Sequence, residues 1–458
     1  MSGTKGDHPD GFTAIILAAG QGTRMRSQRP KVLHEIAGLA MLGHLLTSVR
    51  AAGATTVCVV TSPQQDDVRS FVAGHDARAT TVVQEAQRGT ADAVLAARSV
   101  LETVGEPVLV LAGDVPLVTP ETLQATARRI REGADVVVVG FTAADPTGYG
   151  RLICDASGML RAIVEHADAS AQERAITLCN SGFIGIDGEK TLTLLDDIGN
   201  DNAQGEFYLT DVVAIARARG GDAVVYEAPA DDVRGVNSRA QLAEVEAIWQ
   251  ARRRRTLMEE GVSMAAPATV HLTHDTQIAP DAFIEPNVVF GPGVRVASGT
   301  RIRAFSHLEG AHVASGCVVG PYARLRPGTV LAADVKIGNF VETKAAEIAA
   351  GAKVNHLTYI GDAEIGEGAN IGAGTITCNY DGFAKHRTRI GPGAFVGSNS
   401  ALVAPVRIGA EAYVGSGSVI TKDVADGALA VTRAAQVEKP GWVTKFRALM
   451  QRRKDRAS

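Results

Sequence analysis

Two rhythms of apolar and polar positions divide the chain. From Phe12 to about Val236, short apolar runs at 13–17, 56–61, 108–112 and 136–141 read as buried strands. Residues 41–52, 91–103 and 120–132, lying between them, read as helices. Such alternation predicts an α/β domain with a mostly parallel sheet covered by helices on both faces. In residues 238–260, Leu242, Val245, Ile248 and Trp249 recur at helical spacing and the basic run Arg252 to Arg255 follows. One connecting helix is expected there, with the arginines as a solvated helix end or an interdomain contact in preference to an anion site.

From Ile278 the period becomes six. Ile278, Ile284, Phe290, Val296, Ile302 and Leu308 follow it. Val313, Val319, Leu325, Leu331 and Ile337 resume it after one shortened coil, and Ile390, Val396, Leu402, Ile408, Val414 and Ile420 repeat it. A hexapeptide period predicts a parallel β-helix, each hexapeptide forming one face of a triangular coil with its aliphatic residue pointing inward. One coil cannot bury its own face, so the coils stack. Residues 376–389 break the rhythm and are expected to form an inserted loop, a position suited to function. The expected division is an extension at 1–11, a first domain at 12–238, a linker helix at 239–262, the β-helix at 263–430, and an arm and tail at 431–458. The first ten residues and the tail from about Lys445 are expected to be mobile.

Composition narrows the function. With 458 residues the chain exceeds one ordinary core. Only 5% of residues are aromatic while 49 are Gly, which suits a repetitive β fold with tight corners. The net charge of -4 offers no basic field to nucleic acid, so an anionic substrate must be held by local Arg and Lys. Cys58, Cys154, Cys179, Cys317 and Cys378 are scattered without a C-x-x-C, as expected of reduced thiols in a cytoplasmic protein. The N-terminus lacks the apolar stretch of a signal peptide, and no apolar run is long enough to insert in a membrane.

The first predicted strand runs into Leu17-Ala18-Ala19-Gly20-Gln21-Gly22-Thr23-Arg24-Met25, and Pro30-Lys31 follows. A Gly-rich turn after a strand can aim backbone N–H groups at phosphate oxygens, with Arg24 and Lys31 to offset their charge. The Walker and dinucleotide fingerprints are both absent. The full string resembles the nucleoside-triphosphate:sugar-1-phosphate nucleotidyltransferases, whose sheet is Rossmann-like. The likeness continues through Gln84 with Gly89-Thr90, Ala112-Gly113-Asp114, Gly150, Glu165, Asn180 and Asn237. It implies uracil reading by the Gln84 segment, sugar contacts from Gly150, Glu165 and Asn180, and Mg²⁺ held by Asp114 and Asn237. Because a sugar 1-phosphate is already a nucleophile, the chemistry calls for in-line positioning and charge neutralisation and not for a general base.

The repeat region should be bland, yet it carries Leu325-Arg326-Pro327-Gly328, Asn339-Phe340-Val341-Glu342-Thr343-Lys344, Asn355-His356-Leu357-Thr358-Tyr359 and a polar stretch from Asn370 to Gly382. These strings resemble the bifunctional N-acetylglucosamine-1-phosphate uridylyltransferase/glucosamine-1-phosphate acetyltransferase family, and the likeness covers residues 12 to 435. It implies a left-handed β-helix, a homotrimer, and the substrates acetyl-CoA, glucosamine 1-phosphate, N-acetylglucosamine 1-phosphate and UTP. An amine that attacks a thioester must shed a proton, and an imidazole, titrating near about 6.5 in peptides, suits that task. His356 is the expected base. The resemblance places Arg326, Lys344, Tyr359 and Asn370 on the sugar phosphate, and Ala373, Asn379, Tyr380, Ser398, Ser416 and Arg433 on acetyl-CoA. Two other readings stay open. One is a monofunctional nucleotidyltransferase with a non-catalytic β-helix trimerisation domain, against which Lys344, His356 and Tyr359 weigh. The other is a scaffold with an inactive head, against which Arg24, Lys31, Asp114 and Asn237 weigh.

Overall fold

The computed structural model describes residues 11–457 apart from Gln21 and Ala203. The expected mobility of the first ten residues therefore lies outside the described residues. The chain divides into two compact units, one ending at Arg255 and the other beginning at Thr256.

The first unit is built on a sheet whose main strands are β1 (Phe12–Leu17), β2 (Ala54–Thr61), β3 (Thr80–Val83), β4 (Val108–Ala112), β5 (Val136–Thr142), β6 (Leu178–Ile186) and β7 (Ala223–Glu227). They lie in the order β7-β5-β6-β4-β1-β2-β3. Every neighbouring pair is parallel except those of β6, which runs antiparallel to β4 and β5. Helices cover both faces, so strand residues on either side are buried: Ile15, Ile16, Val110 and Val138 are wholly inaccessible. The helix Pro120–Arg131 starts where sequence rules place it, with Thr119 accepting from the Thr122 N–H and Pro in its first turn. Residues 91–103 are not one helix. Thr90–Leu95 and Arg98–Leu101 are separate, divided at Ala97, whose φ of -91° and ψ of 18° leave helical values. The turn there buries Ala97 and Leu101 together against the sheet. Gly11, expected in the free extension, is buried, and its carbonyl accepts from Arg131.

The second unit is a parallel β-helix of hexapeptide repeats. Strands pair with the residue 18 positions on, as Phe283 with Arg301 and Val289 with His307. The shift is 17 where a coil is shortened, as Arg295 with His312. The aliphatic residues of the six-residue rhythm are buried throughout, from Ile278 to Ile420. The interruption is narrower than expected. Ile376–Cys378 and Thr388–Ile390 are strands in register with neighbouring coils, and only residues 379–387 leave the coil. Across them the shift grows to 25, as Asn370 with Phe395.

Trp442–Asp455 is an α-helix with no buried residue. Its apolar residues fall at helical spacing. No described helix is long and apolar enough to cross a membrane.

Candidate active sites

In the first unit, the C-terminal ends of β1 and β4 lie side by side, and the Gly113 N–H donates to the Leu17 carbonyl at 2.9 Å. Both strands then turn away, which opens a crevice at their carboxyl ends. Leu17, Ala19, Gly20, Gln84, Gly89, Thr90, Ala112, Glu165 and Asn180, all anticipated from sequence, line one cleft of about 590 Å³. The Ala18 N–H donates to the Val60 carbonyl and the Ala19 carbonyl accepts from Gln87, which anchors the turn on the sheet. Gly89 has φ of 128°, and a Cβ there would lie 2.4 Å from the Phe207 carbonyl oxygen, so only Gly fits. Gln84 donates to the Gly89 carbonyl at 3.2 Å and to Asp92 at 2.9 Å.

Gly150 backs Glu165: a Cβ at Gly150 would approach the carboxylate oxygen to 3.3 Å. The Asn180 N–H donates to the Gly150 carbonyl at 2.8 Å, so these three residues share one wall. The cleft walls desolvate the Glu165 carboxyl, and the Asp168 charge adds to the effect; both push it above its usual range. Sequence reasoning missed Glu206, Tyr208, Leu209 and Thr210 on the same cleft. Their signal was the polar-aromatic run that directly follows Gly205.

Beside the cleft, Lys31, Asp114, Asn237 and Arg24 converge. The Val236 N–H donates to the Asp114 carbonyl, which brings Asn237 next to Asp114. The Lys31 ammonium bonds the Asp114 carboxylate and lies 3.1 Å from Asn237 Oδ1. Arg24 donates to the same Asn237 oxygen at 2.9 Å. Two hard oxygens thus point at one cationic centre. That donor set fits Mg²⁺, which takes one or two protein oxygens and completes its shell with water and phosphate. Among the described residues no cluster of three or more His, Cys, Asp or Glu could hold a metal by itself.

In the second unit, one corner of the coil organises the predicted residues. Backbone bonds run from coil to coil at the same place: Leu357 N–H to Asn339, Gly374 N–H to His356, Asn399 N–H to Ala373, and Gly417 N–H to Ser398. Arg433 then bonds the Ser416 carbonyl. His356, Ala373, Ser398, Ser416 and Arg433 therefore follow one edge of the prism. Asn339 Oδ1 lies 2.8 Å from His356 Nδ1. On the face that follows the corner, Arg326 pairs with Glu342 at 2.8 Å. Lys344 pairs with Asp362 at 3.2 Å, Asp362 in turn accepts from Asn379, and Asn379 lies 3.5 Å from the Tyr359 hydroxyl. Asp362 was not singled out in the sequence, because its role depends on two partners 17 and 18 positions away. Asn370 stands apart, in register with Lys353 and Phe395 on the face that leads into the corner. Tyr380 belongs to the inserted loop, where Lys385 lies 4.1 Å from its ring centre and Asp381 accepts from Phe383, Ala384 and His386.

Known proteins match both units. Residues 14–180 match the MobA-like NTP transferase domain family, and residues 387–422 the bacterial transferase hexapeptide (six repeats) family. The bifunctional protein GlmU of Azorhizobium caulinodans is 56% identical over 434 residues, which are 95% of this chain and 97% of that one. That of Agrobacterium fabrum is 53% identical over 442 residues, with 96% and 97% covered. That of Zymomonas mobilis is 50% identical over 438 residues, with 95% and 97% covered. Matches of this extent, through the nucleotide-type cleft and the hexapeptide corner alike, show that the chain belongs to the family of the bifunctional GlmU proteins.

Proposed function

We propose that the residues gathered above carry out, unit by unit, the two steps of this chain's synthesis. The chain is a bifunctional transferase: it acetylates glucosamine 1-phosphate from acetyl-CoA and then joins N-acetylglucosamine 1-phosphate to the uridylyl group of UTP, releasing pyrophosphate. The matches across both units favour this over a nucleotidyltransferase with an idle β-helix. The observation that carries the assignment of residues is the corner column, which sets His356 in line with Ala373, Ser398 and Ser416.

In the acetyl transfer, the glucosamine amine attacks the thioester carbonyl, the C–N bond forms, the C–S bond breaks, and CoA leaves as its thiol. His356 takes the proton of the amine. Asn339 Oδ1 accepts from Nδ1–H, which leaves the Nε2 lone pair for the substrate. Arg326 and Lys344 hold the phosphate, the first as a fork and the second as a point charge. Tyr359 and Asn370 contact the sugar. Ala373, Asn379, Tyr380, Ser398, Ser416 and Arg433 line the path of acetyl-CoA, and a backbone N–H near Ser398 faces the developing oxyanion.

In the uridylyl transfer, a phosphate oxygen of N-acetylglucosamine 1-phosphate attacks the α-phosphorus of UTP in line, and pyrophosphate departs. The turn from Leu17 to Gly20 cradles the phosphates, and Arg24 and Lys31 offset their charge. Gln84, Gly89 and Thr90 hold the uracil, while Gly150, Glu165 and Asn180 hold the sugar. Asp114 and Asn237 hold Mg²⁺, which when bound neutralises charge on the phosphates. Lys31 releases Asp114 and turns to the pyrophosphate.

The enzyme acts in the cytoplasm and as a homotrimer, with the inserted loop at 379–387 reaching a neighbouring subunit. The deciding experiment supplies glucosamine 1-phosphate, acetyl-CoA, UTP and Mg²⁺, and follows CoA thiol and pyrophosphate separately. Both should appear. Pyrophosphate released only when N-acetylglucosamine 1-phosphate is added would remove His356 from the mechanism.

A further inference from the structure

Gln84 directly follows β3, is almost fully buried, and lines the cleft of the first unit. Its backbone N–H donates to the Thr61 carbonyl at 2.9 Å, which fixes where the side chain starts. Two more bonds fix where the side chain ends. Nε2 donates to the Gly89 carbonyl at 3.2 Å and to Asp92 Oδ2 at 2.9 Å. A carbonyl and a carboxylate only accept, so the amide nitrogen must face them and the amide oxygen must face away. The nitrogen carries two hydrogens, and both are spent on the protein. Among the described residues no donor bonds Oε1. What Gln84 can still offer a base is one acceptor.

Asp92 does not line the cleft itself. It stands in the first turn of the helix Thr90–Leu95, and its carboxylate serves two donors. Oδ2 takes Gln84, while Oδ1 takes Arg88 through Nε at 3.1 Å and Nη2 at 2.6 Å. Of the two bonds that orient the amide, the one to Gly89 is the longer, and that carbonyl also accepts from the Ala93 N–H at 3.2 Å. The bond to Asp92 is shorter and charge-assisted, so the carboxylate dominates the orientation.

Uracil and cytosine differ at the edge that such an oxygen reads. Uracil carries a donor at N3, and cytosine carries a lone pair there. An acceptor held in front of N3 bonds the first base and repels the second. A site built around one hydrogen bond rejects the analogue that lacks its partner.

We propose that Asp92 is a positioning residue that sets the choice of UTP over CTP, by holding Gln84 with Oε1 towards the base. The proposal rests on the reading that Gln84 meets the uracil.

The test compares kcat/KM for UTP and for CTP in the full chain, from pyrophosphate release with N-acetylglucosamine 1-phosphate and Mg²⁺. The ratio of the two cancels the fraction of folded enzyme. Asp92→Ala should lower the UTP/CTP ratio about tenfold, the worth of one charge-assisted hydrogen bond. Asp92→Asn should keep it, because its Oδ1 still accepts from Gln84 while its amide nitrogen displaces Arg88. Gln84→Ala should lower the ratio at least as far, and Asp92→Ala added to Gln84→Ala should lower it no further. An equal fall for both nucleotides in Asp92→Ala would show that Asp92 only supports the fold and would overturn the proposal. A further fall in the double variant would overturn it too, because Asp92 would then act by another route than Gln84. A ratio kept in Asp92→Ala and lost in Gln84→Ala removes Asp92 from base choice and leaves Gln84 on the uracil. A ratio kept in Gln84→Ala takes Gln84 off the uracil, and the proposal goes with it.

Discussion

Asn339 and His356 stand in register on adjacent coils of the β-helix, 17 positions apart, with Asn339 Oδ1 2.8 Å from His356 Nδ1. An amide oxygen only accepts, so it fixes the ring proton on Nδ1 and leaves Nε2 basic. His356→Ala should lower acetyl transfer by about 10²- to 10⁴-fold, the worth of a general base. Asn339→Ala should cost less, about five- to tenfold, the worth of one hydrogen bond of about 1 kcal/mol. Asn339→Asp places a carboxylate beside the ring, favours the imidazolium, and should move the acid limb of the pH–rate profile to higher pH. Thiol release measures all three, with pyrophosphate release unchanged. An unmoved profile in Asn339→Asp argues that Asn339 merely packs.

Asp362 bonds both Lys344, proposed to hold the sugar phosphate, and Asn379, proposed to meet acetyl-CoA. Removing its charge frees both partners at once. Asp362→Ala should therefore raise KM for glucosamine 1-phosphate and for acetyl-CoA together, with kcat/KM down about 10- to 100-fold, as loss of a charged hydrogen bond predicts. Initial rates with each substrate varied in turn would reveal a change confined to one of them.

Lys31 occupies the position between Asp114 and Asn237 that suits a divalent cation. In Lys31→Ala that competing charge is gone. Mn²⁺ binding without nucleotide, followed by electron paramagnetic resonance, should tighten even as pyrophosphate release falls. Asp114→Ala should lose both the ion and uridylyl transfer and keep acetyl transfer. Weaker Mn²⁺ binding in Lys31→Ala would show that Lys31 supports the ion site.

Burial, with the Asp168 charge second, holds the Glu165 carboxyl above its ordinary value of 4.5. A raised carboxyl pKa means that the folded protein keeps its proton to higher pH than the unfolded chain does. Stability from this group is therefore present below 4.5 and is lost as pH rises through the raised value. The ionised form is the stronger acceptor for sugar hydroxyls, so in its proposed role on the sugar KM for N-acetylglucosamine 1-phosphate should climb as pH falls through that window. Glu165→Gln should flatten the dependence. Parallel KM–pH curves for the two proteins would take the carboxyl out of sugar recognition.

The sequence by itself determined the periods, and with them the two folds. Apolar runs separated by helical spacing leave little choice but a covered parallel sheet, and a strict six places Ile278, Ile302 and Ile420 inside a stacked coil because each aliphatic residue must be buried. Motif strings located Gly89, Asp114 and His356 because their backbone or charge requirements admit few residue types. Tertiary structure decided what depends on distance across coils and strands. Asp362 meets Lys344 and Asn379 only when successive coils stack, and Asn237 reaches Asp114 only through the bond from Val236. Glu206, Tyr208, Leu209 and Thr210 join the cleft because their segment is tied to it, with the Phe207 N–H on the Arg88 carbonyl and the Leu209 N–H on Thr90. Local sequence sets how a segment folds; which side chains share a site is set by packing between segments far apart in the chain.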